Sequence, residues 1–210
     1  MSSTYQLKSR FQALLRPLAA TLYRAGVTAN QVTVIACLIS VALGAAALAY
    51  SERQPERKYL FLLISFWCLL RMAANALDGM LAREFGQASR LGAVLNELSD
   101  VISDIALYLP FALIAGSQPW QVVAVVLLAV VSEFTGLLGA AMGNERGYAG
   151  PMGKSDRALV FGITGLLVGC GVYMAPFINI VWAITAALLL LTIFNRGRAA
   201  LVSHKSGNNL

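Results

Sequence analysis

Six apolar runs, each near the length that crosses a lipid bilayer, leave this chain of 210 residues few folds to choose from. A helix needs about 20 apolar residues to span the hydrocarbon core, where every backbone N–H and C=O must be satisfied within the segment. The runs extend from about Gln31 to Tyr50, Tyr59 through Ala76, Leu91 to Ala115, Trp120 to Met142, Ala158 to Tyr173, and Pro176 to Phe194. Charged residues are 12% of the chain, where a soluble domain carries about 25%. Mean hydropathy is +0.70. The expected fold is an all-α membrane protein, a single domain with six transmembrane helices over 28–195.

Polar punctuation supports these limits. Thr28 or Asn30 offers a cap for the first span. The link Ser51 to Lys58 contains Pro55, Gly86 to Arg90 turns the chain, and Gly143 to Arg157 reads as a Gly-rich polar loop. In residues 1–27, Lys8, Arg10, Arg16 and Arg24 interleave with Phe11, Leu14, Leu15, Leu18 and Leu22. That pattern predicts an amphipathic helix lying on the membrane surface, with Pro17 bending it or starting its second part. Residues 196–210 read as a basic tail.

The net charge of +6 raises nucleic acid as a partner, but the distribution of charge points to membrane orientation. Six spans place both termini on one side. Twelve basic residues fall there: Lys8, Arg10, Arg16, Arg24, Arg83, Arg90, Arg146, Lys154, Arg157, Arg196, Arg198 and Lys205. Arg53, Arg57 and Lys58 are the three on the other side, and Arg71 lies within a span. The positive-inside rule then makes both termini cytoplasmic and leaves nucleic acid without a case. Cys37, Cys68 and Cys170 are scattered through apolar runs and read as buried, inert thiols. The only histidine, His204, sits in the tail, which excludes histidine-based metal or triad chemistry.

Charge inside the spans is the exception. Asp78, Glu97, Asp100, Asp104, Glu133 and Arg71 all fall within or at the ends of apolar runs. A charge at a span centre costs roughly 3 kcal/mol even on lenient scales, so such residues need partners or a function. Asn75 and Asp78 are three apart; Asn96, Asp100 and Asp104 follow at steps of four. Residues so spaced share a helix face, and two such stripes facing each other form a candidate metal site. Arg71 shares the face of Asn75 and Asp78 and is expected to pair with one of the carboxylates. Glu133, alone in its span, is either a structural partner or a site residue.

The stretch from Asn75 to Asp100 resembles the signature of the CDP-alcohol phosphatidyltransferases: D-x-x-D-G-x-x-A-R, eight residues, then G-x-x-x-D-x-x-x-D. Asp78, Gly79, Ala82, Arg83, Gly92 and Asp100 match in register, while the first and third aspartates are Asn75 and Asn96. The loop Gly150 to Arg157 also looks like the lysine-containing loop before the fifth span of these enzymes. The resemblance implies a multi-pass protein of a bacterial inner membrane with its site at the cytoplasmic face. It implies transfer of a substituted phosphate from a CDP-alcohol, CDP-diacylglycerol or another, to an acceptor alcohol, with release of CMP. Membrane lipids and a second copy of the chain are the other implied partners. The implied cofactor is Mg2+ or Mn2+, one or two ions, on Asn75, Asp78, Asn96 and Asp100. Asp78, Gly79, Ala82, Arg83 and Gly92 are then expected at the nucleotide, and Lys154, Ser155 and Arg157 at a phosphate or the acceptor.

The two asparagines halve the formal charge of the matched set, from −4 to −2. The spacing offers a compensation: a site moved by about one helical turn, with Asp100 and Asp104 as the catalytic pair and Glu97 as an added ligand. Asp100 is then a ligand or the base that takes the acceptor's proton. Two competing readings remain: a weak or inactive relative that binds a CDP-lipid, and a small ion transporter using the buried carboxylates.

Overall fold

The computed structural model of the protein describes residues 3–51, 58–144 and 146–202. The described elements are all helical: α1 (Ser3–Arg24), α2 (Ala29–Ser51), α3 (Tyr59–Glu84), α4 (Arg90–Tyr108), a 3-10 helix (Leu109–Leu113), α5 (Pro119–Ala141), α6 (Lys154–Gly169) and α7 (Ile178–Leu201). The expected link with Arg53, Pro55 and Arg57, and the tail residues His204 and Lys205, lie outside the described residues.

Four helices are long and apolar enough to cross a membrane: Ala29–Tyr50, Tyr59–Glu84, Pro119–Ala141 and Ile178–Leu201. The other two expected spans are α4 and α6. The 19 residues of α4 include Asn96, Glu97, Asp100 and Asp104. The 16 residues of α6 rise only about 24 Å against a hydrocarbon core of about 30 Å. Both pack within the bundle, α4 on α2 and α6 on α3, while α5 pairs with α7 and α1 lies against α3.

Local chemistry sets the helix ends. Gly26, with φ 78°, lets Val27 N–H reach back to the Leu22 carbonyl at 3.0 Å and ends α1. Thr28, not Asn30, caps α2. Its hydroxyl accepts from Gln31 N–H at 3.2 Å, and the Gln31 side chain accepts from Thr28 N–H at 2.9 Å. This is a reciprocal capping box. Pro17 sits within a continuous α1 and does not divide it. The third expected run is interrupted: Pro110, which has no N–H to donate, stands at the start of the 3-10 helix and ends α4 at Tyr108. Conversely α6 begins at Lys154, inside the expected loop, and α7 runs on to Leu201, so Arg196 and Arg198 are helical rather than part of a tail.

Glycines allow the close helix contacts. A Cβ at Gly44 on α2 would collide with the Ala106 carbonyl of α4. One at Gly165 on α6 would meet Ser65 Oγ at 2.5 Å and the Phe61 carbonyl at 3.0 Å. The core between these helices is aromatic. Tyr108 stacks on Phe161 with centroids 3.9 Å apart, and Phe111 meets Phe161 edge-on at 5.0 Å and Trp182 at 5.9 Å. Outward faces are also apolar, with Leu38, Leu69, Leu127, Ile184 and Phe194 exposed. A bundle that is apolar inside and outside is built for lipid surroundings. Cys68 is buried as expected, but Cys37 is only partly buried and Cys170 is exposed just past the end of α6.

α1 is amphipathic in the expected sense. Leu15, Ala19 and Leu22 pack on Leu77, Met80 and Phe85. Phe11, Leu14 and Leu18 face outward. Arg16 joins α1 to the end of α3 through Glu84 at 3.0 Å.

Candidate functional site

Helix periodicity places Arg71, Asn75 and Asp78 on one face of α3, and α4 brings Glu97, Asp100 and Asp104 against that face. Arg71 pairs with two carboxylates. Its Nη1 donates to Asp104 at 2.6 Å, and its Nη2 donates to the Asp100 carboxylate and carbonyl at 3.0 Å each. Asn75 Nδ2 donates to the same Asp100 oxygen at 3.1 Å, and Lys154, from the first turn of α6, ion-pairs with the other.

A second tier lies alongside. Arg157, one turn into α6, donates to Asp104 at 3.0 Å and to Glu133 on α5 at 2.9 Å. Glu133 also accepts from Arg146 at 2.9 Å and from Arg196 of α7 at 3.4 Å, while Arg146 ion-pairs with Glu97. Five cations thus face four carboxylates among the described residues, joining α3, α4, α5, α6 and α7. Glu133 is therefore a structural partner. Asp104, expected to be catalytic, is 5% exposed with both oxygens engaged by buried guanidinium groups. Arg157, expected at a phosphate, is 1% exposed and committed to Asp104 and Glu133.

The expected nucleotide residues do converge. Asp78, Gly79, Ala82, Arg83 and Gly92 all line one cavity of about 270 Å³. Asn75 and Asn96 share its wall with Asn30 and Thr33. Thr33 Oγ1 donates to Asp78 at 2.8 Å. Both glycines hold this cavity open. A Cβ at Gly92 would meet Asn30 Oδ1 at 2.7 Å, and one at Gly79 would meet the Arg83 guanidinium at 2.7 Å.

Asn96 also borders a second cavity of about 350 Å³, lined by Arg146, Lys154, Ser155, Arg196 and Glu133. Its basic lining suits an anion. Arg196 is 3% exposed, and its Nε has no hydrogen-bond partner in the structure. Lys154 and Asn75 meet again in a third cavity of about 170 Å³ beside Cys68, Met72 and Ala158. Asn75, Asn96 and Lys154 therefore each line two of these three cavities.

Sequence reasoning missed Arg146 and Arg196, which read as loop and tail charges, Asn30, which read only as a candidate cap, and Thr33, which was not singled out. A polar residue one or two turns inside an apolar span was the available signal for Thr33.

Among the described residues no three or more His, Cys, Asp or Glu side chains are grouped to hold a metal ion. Glu97, expected as an added ligand, is taken by Arg146. What the first cavity offers is one carboxylate, Asp78, with the carboxamides of Asn75 and Asn96. That oxygen set fits a single hard divalent ion completed by substrate phosphates better than a pair of ions.

The family model described as CDP-alcohol phosphatidyltransferase matches residues 26–194. The chain is 48% identical over 198 residues to the inner membrane protein YnbA of Escherichia coli (strain K12), covering 94% of this chain and 96% of that one. It is 28% identical over 201 residues to the phosphatidylinositol phosphate synthase of Mycolicibacterium smegmatis, covering 92% of this chain and 84% of that one. The crystal structure of the Mycobacterium tuberculosis phosphatidylinositol phosphate synthase, in complex with manganese and citrate, superposes with a TM-score of 0.66. It covers 92% of each chain at 21% identity, a likeness of fold.

Proposed function

Because the chain belongs to the CDP-alcohol phosphatidyltransferase family, we propose that it moves a substituted phosphate from CDP-diacylglycerol, or another CDP-alcohol, to an acceptor alcohol and releases CMP. The observation that carries this reading is the convergence of Asp78, Gly79, Ala82, Arg83 and Gly92 on one cavity that meets a cation-lined cavity at Asn96. The first cavity takes the cytidine nucleotide. Gly79 and Gly92 admit the planar base, and Arg83 faces a phosphate. The second takes the acceptor, and its lining by Arg146, Lys154, Ser155 and Arg196 favours an alcohol that itself bears a phosphate. Arg157 supports this cavity from below by holding Glu133. The third, with its apolar wall of Cys68, Met72 and Ala158, is suited to the acyl part of the donor.

Asp78, with Asn75 and Asn96, would hold the divalent ion, Mg2+ or Mn2+, whose chemistry is to neutralise the pyrophosphate of the donor. Asp100 acts by placement. Its carboxylate accepts from Arg71, Asn75 and Lys154, and its role here is to hold the two cations, Arg71 and Lys154, near the phosphate under attack. The acceptor hydroxyl attacks the phosphorus that bears the lipid, the phosphoanhydride bond from that phosphorus to CMP breaks, and the hydroxyl proton passes to the departing CMP phosphate. Asp104 keeps Arg71 and Arg157 in position.

The same reading places six helices, α4 and α6 among them, in a bacterial inner membrane, with both termini and the site cytoplasmic, and a homodimer as the assembly. The name of the Escherichia coli relative supports the location. Family membership displaces the ion-transporter alternative. A CDP-lipid-binding relative with little turnover is favoured by one observation: Asn75 and Asn96 remove two ligand charges. Purified protein with CDP-diacylglycerol, Mn2+ or Mg2+ and a panel of plain and phosphorylated alcohols decides between them. CMP release that needs both a phosphorylated acceptor and Asp78 supports the transferase. Tight nucleotide binding with no CMP from any pair supports the binder.

A further inference from the structure

Lys154 occupies an unusual position for a surface lysine of a loop. It is the first residue of α6, and that turn is fixed by Asp156, whose carboxylate accepts from Gly153 N–H at 2.9 Å. From there its ammonium crosses to Asp100, a carboxylate only 5% exposed, and borders both the second and the third cavity. Arg71 and Asn75 hold the other oxygen of Asp100 at 3.0 and 3.1 Å. Asp100 therefore receives its positive charge from the chain.

The charge balance makes this significant. Asn75, Asp78, Asn96 and Asp100 carry −2 together. Lys154, and Arg71 in part because it is shared with Asp104, offset the charge of Asp100 before any ion arrives. A carboxylate engaged in this way is a poor ligand for a divalent ion, because a metal bound to it stands against two cations. Asp78 is different: its carboxylate accepts from Thr33, a neutral hydroxyl, and Lys154 acts on it only from a distance. A divalent ion at Asp78 is therefore opposed less than one at Asp100, which stands directly against two cations.

We propose that the Lys154 ammonium is a built-in cation that takes the place of a second divalent ion at Asp100, so that the site works with one divalent ion on Asp78 and one lysine. Lys154 compensates for the asparagines: with fewer carboxylates the site cannot neutralise two divalent ions, and a monovalent charge carried by α6 supplies the second cation. The inference rests on the transferase reading for its purpose, but not for its test.

Mn2+ alone, titrated into the full chain in lipid nanodiscs and followed by electron paramagnetic resonance of the free ion, measures the prediction directly. The wild type binds one Mn2+ per chain, and Asp78→Asn abolishes that binding. Lys154→Met removes the opposing charge and tightens Mn2+ or adds a second ion, by about tenfold or more in affinity. Lys154→Arg keeps the charge and leaves the affinity within about twofold of the wild type. Asn75→Asp with Asn96→Asp admits a second ion. Should Lys154→Met fail to yield folded protein, Lys154→Gln makes the same charge change. Two ions in the wild type, none at all, or an affinity that Lys154→Met and Lys154→Gln leave unmoved overturns the proposal. The last result would mark Lys154 as a phosphate ligand only. One ion with the predicted lysine dependence, but no CMP release from any donor, upholds this inference and overturns the transferase reading alone.

Discussion

Replacing Asp104 with alanine separates a carboxylate that positions from one that reacts. The side chain bridges Arg71 at 2.6 Å and Arg157 at 3.0 Å, and these guanidinium groups are 4% and 1% exposed. Removing one member of a buried ion pair costs about 3–5 kcal/mol, because the partner is left charged and unpaired. Here neither arginine is left without a carboxylate: Arg71 keeps Asp100 and Arg157 keeps Glu133. The lower end of that range applies, about 3 kcal/mol, or a fall of about 6–12 °C in melting midpoint for a chain of this size. Cys68, 3% exposed and one turn before Arg71, is a natural reporter. In a Cys37→Ser/Cys170→Ser background a thiol-reactive dye labels Cys68 only as the bundle opens. Combining Asp104→Ala with Arg157→Leu removes both members of one pair, so the double variant loses less than the sum of the single losses. A midpoint unchanged by Asp104→Ala, with CMP release abolished, would refute this reasoning and return Asp104 to the chemistry.

Three further outcomes follow from packing and exposure. Gly44→Val drives a side chain into the Ala106 carbonyl at the α2–α4 contact and destabilises the bundle by about 2 kcal/mol or more, read by the same thermal assay. Gly92→Leu fills the cavity against Asn30 and Ser89, so CDP binding measured by calorimetry weakens at least about tenfold for the loss of close packing at one wall. Arg16→Ala breaks a solvent-exposed pair with Glu84 and leaves the melting midpoint unchanged, since screening removes most of the value of such pairs.

Much of the fold was legible because it follows from local rules. Apolar run length located α2 to α7, the interleaved basic and apolar residues located α1, and the capping box at Thr28 and Gln31 marks the start of α2 in plain sequence. The cluster of Asp78, Gly79, Ala82, Arg83 and Gly92 was legible because its members lie on two consecutive helices with one short turn between them. The unreadable parts depend on distant packing. Arg157 read as a phosphate ligand and Arg196 as a tail charge, and only the approach of α5 to α6 and α7 shows that Glu133 binds both. Pro110 was visible as a residue, but an apolar run continues on either side of it, so hydropathy carried the third span straight through the 3-10 helix. The extra turn at the start of α6 was hidden by Gly153 and by charged residues typical of a loop. It is this turn that delivers Lys154 to Asp100.

The central claim is that the Gly79–Gly92 cavity holds the nucleotide of a CDP-alcohol with its phosphates towards Asn75, Asn96 and Asp78. A cryo-electron microscopy or crystallographic map of the chain with CDP-diacylglycerol and Mn2+ tests it most directly. The account predicts cytidine density against Gly79, Ala82 and Gly92, one manganese peak at Asp78, and Lys154 still on Asp100 beside the pyrophosphate. Nucleotide density in another cavity, or manganese bridging Asp78 and Asp100 with Lys154 displaced, would contradict it.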